Sequence, residues 1–296
     1  MRLLKADARE RDPRGRGPAA APQPGRKAPR RARPGLRLPV LTAALLAPTA
    51  MAFGAAWTLP RGTGQAIVTT SYTQGSQYLR SDGREQRLPE YRKAETSLLA
   101  QYGLTDALTL IAAPSLFAAR TGGANPDSYA GPGYTDLGVR ARLWNDEAAV
   151  VSLQAVGRIP GATNDRRPAQ LGNTDAALDL RLLAGRSFTA GGTDGFVNLE
   201  GAYRARFNDA PNEWRLDLSL GLRPVPGWAV LAQSFTVVTD GEGRGVYPSS
   251  WYSKAQLSVL HDIAPGWTLQ AGAFTTVAGR NALRENGALV ALWREF

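Results

Sequence analysis

Between Trp214 and Arg223 every second residue is apolar: Trp214, Leu216, Leu218, Leu220 and Leu222 alternate with Arg215, Asp217, Ser219, Gly221 and Arg223. This period of two puts leucine on one face of a strand and charge on the other. Related segments recur over residues 65–78, 91–102, 107–120, 134–144, 148–160, 175–187, 195–206, 214–224, 228–238, 250–262, 267–278 and 284–296. Many exceed the five or six residues of an average soluble strand and match the roughly nine to eleven that a tilted strand needs to cross a bilayer. Period alone fits a soluble sandwich with leucine inside as well as a membrane barrel with leucine toward lipid.

The connections separate these two cases. Tight turns at 103–106, 145–147, 189–194, 224–227 and 263–266 alternate with more polar loops at 79–90, 121–133, 161–174, 207–213, 239–249 and, shorter, 279–283. The order predicts an all-β fold: a transmembrane antiparallel up-and-down β-barrel of about twelve strands, with both termini on the periplasmic, short-turn side. Aromatic positions agree. Tyr102, Trp144, Phe188, Trp228, Trp267 and Phe296 fall beside the short turns or at the C-terminus, and Tyr72, Tyr78, Tyr91, Tyr134, Trp214, Trp251 and Tyr252 near the other rim. Two belts of this kind are expected where amphipathic rings sit at headgroup level.

Charge is concentrated at one end of the chain. The net charge is +10, and residues 1–38 hold twelve basic against three acidic side chains, so the remainder is nearly neutral. A basic folded surface for nucleic acid is therefore not expected. Residues 38–48 form a short apolar run followed by Ala50-Met51-Ala52, the order of a cleavable signal peptide; it is too short for a spanning helix. The expected organisation is a basic n-region and signal peptide over 1–52, a short periplasmic segment over 53–64 and the barrel over 65–296. This places the protein in the bacterial outer membrane, as a monomer in contact with its lipid.

The chain lacks cysteine and has one histidine, which leaves no thiolate or histidine-based metal centre, and no cofactor is expected. His261 is three residues from Ser258, so on one strand the two point to opposite faces, and no catalytic constellation follows. Gly241-Glu242-Gly243-Arg244-Gly245 has neither a following helix nor a Lys-Ser/Thr pair, and reads as an external loop. An enzyme is not expected.

The polar faces carry more information. Lumen candidates are Lys93, Glu95, Arg140, Arg142, Arg181, Glu200, Arg204, Arg206 and Arg215, with the arginines as the expected selectivity residues. An arginine-lined constriction lowers the barrier for anions. The same side chains could instead cross-link the wall and fill a lumen this narrow. The C-terminal strand ends in Phe296, with Val290 and Leu292 on its face and Arg294 at a position where an aromatic is more usual. It resembles the insertion signal read by the barrel-assembly machinery.

The stretch Gly54–Gln65, the segment Glu95–Leu110 around Tyr102-Gly103-Leu104-Thr105-Asp106, and the ending Trp293-Arg294-Glu295-Phe296 resemble a family of proteobacterial outer-membrane barrels. That family is related to candidate transporters of the phenol meta-degradation pathway. The resemblance implies a barrel and solute passage, hints at aromatic solutes, and brings no catalytic residues. Two functions are thus expected to compete. One is a narrow passive channel for small anionic or aromatic solutes; the other is a non-conducting barrel acting through loops 121–133 and 161–174.

Overall fold

A computed structural model describes residues 55–164, 167–170, 172–245 and 247–296. The signal peptide and cleavage site expected over 1–52 lie outside the described residues. Twelve strands follow in order: β1 (Gly64–Leu79), β2 (Glu85–Thr105), β3 (Leu108–Thr121), β4 (Asp127–Asn145), β5 (Ala149–Pro160), β6 (Ala177–Ala190), β7 (Thr193–Arg206), β8 (Glu213–Val225), β9 (Trp228–Thr239), β10 (Trp251–Ala264), β11 (Trp267–Arg280) and β12 (Ala282–Glu295). Each pairs antiparallel with its sequence neighbours, and β1 pairs with β12 to close the barrel. The seam runs from Gln65 opposite Glu295 to Leu79 opposite Ala282. Phe296 and Gly64 exchange both backbone hydrogen bonds, at 2.9 and 2.6 Å, so the last residue completes the ladder. Closure leaves no sheet edge, which is the condition for placing strands in hydrocarbon.

All twelve expected strands are present, and the alternation along them sorts the side chains as the sequence requires. Leu178, Leu180 and Leu182 on β6 and Leu216, Leu218 and Leu220 on β8 are 38–54% exposed, while the residues between them face the interior. Fully burying one leucine is worth roughly 1.5–3 kcal/mol, so an outward leucine band of this extent belongs against lipid rather than water. Gly192, Gly227 and Gly266 occupy the tight turns with φ near +78°, +76° and +72°, which favour glycine. In the β4–β5 turn, Asp146 accepts the N–H groups of Ala148 and Ala149 at 2.8 and 2.7 Å. These backbone donors hold its carboxyl below the usual carboxylate range.

Two features depart from expectation. Strands β2 and β4 are 21 and 19 residues long, far beyond a bilayer's need, so 85–90 and 127–133 are strand rather than loop. Tyr91, Tyr134 and Tyr252 leave the expected outer belt. They follow the inward parity of their strands, whereas Trp214 and Tyr72 remain outside, 57% and 45% exposed.

Candidate functional site: the barrel lumen

The interior of β4–β8 is an ion-paired wall. Arg181 Nη1 lies 2.5 Å from Glu200 Oε2 and 2.6 Å from Asp217 Oδ2, and its Nε is 3.4 Å from Asp179 Oδ1. Arg204 donates to the other oxygen of Asp179 at 3.0 Å, and Arg206 to Glu213 at 2.5 Å, with Asp175 at 3.9 Å. Arg215 is 3.5 Å from Glu213. Arg158 makes a two-point contact with Asp136, at 2.8 and 2.6 Å, beneath the ring of Tyr134. Five arginines thus meet six carboxylates, so each of these arginines has an anionic partner. Pairing offsets much of the cost of taking these charges out of water.

The opposite wall, from β9 through β12 to β1 and β2, is built differently. It lines a cavity of about 390 Å³ with the carboxamides Gln65, Gln101, Gln233, Gln256 and Gln270, with Thr69 and Ser97, and with Ile67, Leu99, Leu231, Leu289 and Trp293. Gln256 donates to Gln233 at 2.9 Å, and Trp293 Nε1 to Gln270 at 3.0 Å, so these three amides are held by protein partners. Arg140 reaches this cavity from β4. It is 5% exposed and donates to Gln154, to the carbonyl of Trp57 and to Gln101, at 3.0, 3.0 and 3.1 Å. No carboxylate lies within 4 Å of it among the described residues.

Both ends of the lumen are narrowed by chain that turns inward. At the short-turn end, residues 55–59, within the short segment expected over 53–64, enter the barrel. Ala56 is fully buried, its N–H donates to Asn198 at 3.1 Å and its carbonyl accepts from Ser152 at 2.6 Å. Trp57 meets Phe196 edge to face at 6.2 Å, within an inward apolar ring that includes Ile67, Val150, Leu183, Leu231, Leu260 and Trp293. At the other end, the β5–β6 connection buries Ala162 and Ala169 against Phe117 and Ala119 on β3. It is tied down by Arg167, which pairs with Asp127, and by the Ala169 N–H, which donates to the same carboxylate at 3.1 Å.

The expected lumen residues all lie on inward positions. Arg181, Glu200, Arg204, Arg206 and Arg215 come together in the ion-paired wall, and Lys93 pairs with Glu95 at 2.7 Å on β2. Arg142 shares the inward face of β4 with Arg140 and is half-buried nearer the short turns. Sequence reasoning missed Asp175, which was placed at the start of a strand but lies just before β6, and Glu213, which was read as loop but begins β8. It also missed Gln233, Gln270 and Trp293, although parity with outward Leu269 and Leu292 marks the last two as inward. Trp57 carries no local signal at all, because its burial depends on a barrel formed by distant strands. His261 and Ser258 face opposite sides of β10. Ser258 is buried inward, while His261 stacks on Trp228 at 4.1 Å and its Nδ1 meets the Gly227 carbonyl. Phe296 is 65% exposed on the outer surface. Arg294, on the same face, lies over the Trp267 ring at 5.0 Å and keeps its charge at the rim by donating to the Pro265 carbonyl.

No protein-family model matches the sequence, and no curated protein matches it either. Solved structures do. An outer membrane channel from Pseudomonas putida F1 superposes with a TM-score of 0.64 at 15% identity, covering 82% of this chain and 98% of that one. The NanC porin gives 0.49 at 11% identity, covering 77% and 98%, and the translocator domain of the autotransporter NalP from Neisseria meningitidis gives 0.48 at 13%, covering 80% and 90%. Identity this low speaks to fold alone. With closed strand pairing, an outward leucine band and aromatic rims, the chain has the fold of a bacterial outer-membrane β-barrel.

Proposed function

We propose that this barrel is a narrow passage for small solutes across the outer membrane, with its short turns toward the periplasm and Arg140 as its main recognition cation. One observation carries the reading: a cavity of about 390 Å³ inside the barrel, lined by hydrogen-bonding amides and one guanidinium that forms no ion pair with a described carboxylate. A barrel that served only as a wall would gain from filling that space, because an empty interior forfeits packing. The likeness to an outer membrane channel fits this reading. Among the described residues the lumen serines Ser152, Ser219 and Ser258 bond a backbone carbonyl or glutamine amides rather than a histidine or carboxylate, which favours solute passage over catalysis. Lys93, Glu95, Glu200, Arg181, Arg204, Arg206 and Arg215 would hold the wall in shape, and Arg142 would add positive potential toward the short-turn mouth.

A second reading, a non-conducting barrel, is favoured by the inward segments at both ends. Single-channel recording in a planar bilayer separates the two. Stepwise currents with an anion-biased reversal potential in a salt gradient are expected for the passage. Silence from protein shown to be folded assigns the molecule to the second reading.

A further inference from the structure

Neither β4 arginine, Arg140 or Arg142, has a carboxylate within 4 Å among the described residues, and of the two Arg140 alone borders the cavity. A guanidinium has five N–H donors. In Arg140, Nε donates to Gln154 and Nη1 to Trp57 O and Gln101, which leaves both N–H groups of Nη2 without an acceptor among the described residues. Nη2 is not sealed away as a partnerless buried atom, and the space that Arg140 borders is the cavity. The lining contains this one cation and no acidic residue. Gln101 turns its oxygen to Arg140, so its carboxamide nitrogen is the remaining donor beside the guanidinium. Gln65 lies opposite Gln101 in the β1–β2 ladder, and Trp57, Leu99, Leu289 and Trp293 supply apolar lining.

We propose that the cavity holds a small monocarboxylate with an apolar body, its carboxylate on Arg140 and Gln101 and its body against Trp57, Leu99, Leu289 and Trp293. The assignment rests on the reading of the lumen as a solute passage and names the class of solute that pauses there. A single cation matches a single negative charge, whereas a dianion would bring one charge without a partner into a water-poor space. Guanidinium and carboxylate share a planar fork that makes charge-assisted pairs about twice as strong as neutral hydrogen bonds. The paired wall cannot compete for the ligand, because its arginines already hold carboxylates at 2.5–3.9 Å.

The test measures binding and current on the same folded barrel purified from membranes. Titration calorimetry compares benzoate with benzyl alcohol, which has the body without the charge, and with acetate, which has the charge without the body. Benzoate is expected to bind at least tenfold more tightly than either, and to lower single-channel current at matching concentrations. Arg140→Gln is expected to weaken benzoate at least tenfold and leave benzyl alcohol unchanged. If that variant does not fold, Gln101→Leu supplies the same comparison from the second donor. Equal affinity for benzoate and benzyl alcohol, or benzoate binding that survives both substitutions, overturns the site. Current without benzoate binding removes the carboxylate site and leaves the passage standing. Binding without current keeps the site and removes the passage.

Discussion

An arginine facing the lumen can hold the wall or meet a solute, and its neighbours decide which. Arg181 touches three carboxylates from three strands, Asp179, Glu200 and Asp217. Removing it would leave these charges buried and mutually repelling, a loss of about 3–5 kcal/mol by the usual cost of breaking a buried pair. Arg181→Ala is therefore expected to lower the guanidinium midpoint in detergent sharply, whereas Arg142→Ala should barely move it; equal midpoints would show the network to be ornamental. Inward direction was legible from parity for both residues. Partnership was not, because Glu200 and Asp217 reach Arg181 only through the register of β6, β7 and β8, which no local pattern encodes. Trp57 makes the same point from the other side. A Cβ on Gly185 would sit 2.5 Å from its ring, so Gly185→Val should displace Trp57 and the segment around it. Raised conductance or longer open times in single-channel records are expected for Gly185→Val and for Trp57→Ala alike. Unchanged records in both would mean that residues 55–59 do not obstruct the lumen.

At the scale of elements, the sequence located every strand and misjudged what the connections do. Alternation identifies a strand because each residue's environment is set by its own face. A loop has no such rule, and its course depends on what it meets. Residues 161–174 would present an outer contact surface if the barrel were non-conducting and acted through its loops. Instead Ala162 and Ala169 pack into the barrel mouth, and Asp127 on the overhanging part of β4 holds Arg167 and the Ala169 backbone. Asp127→Ala removes both attachments at once. It is expected to free this connection, seen as faster cleavage by protease added to the long-loop side and as noisier current, while the thermal midpoint of the barrel stays within a few degrees. A cleavage rate equal to that of the parent protein would mean that the apolar contacts with Phe117 and Ala119 hold the connection without Asp127.

For the whole molecule, one arrangement satisfies the outward leucines, the closed ladder and the charged interior together, and that arrangement is a barrel in lipid. Leucine, valine and alanine make up most of the outward faces, and the rim residues Trp228, Trp267 and Phe296 stand 44%, 37% and 65% exposed where headgroups would meet them. Burial in hydrocarbon predicts a depth dependence that burial in water does not. Leu218, midway along β8, and Val225, at its short-turn end, both face outward, 44% and 53% exposed. An arginine at the bilayer midplane costs about 2–4 kcal/mol, falling to about 0–1 kcal/mol near the interface. Leu218→Arg is therefore expected to destabilise the barrel in lipid vesicles by that larger amount and Val225→Arg by little. The two should converge when measured in a detergent whose micelle lets water reach the belt. The same small cost in vesicles for both positions would place the leucine band outside the hydrocarbon and would remove the physical basis for reading this chain as a membrane barrel.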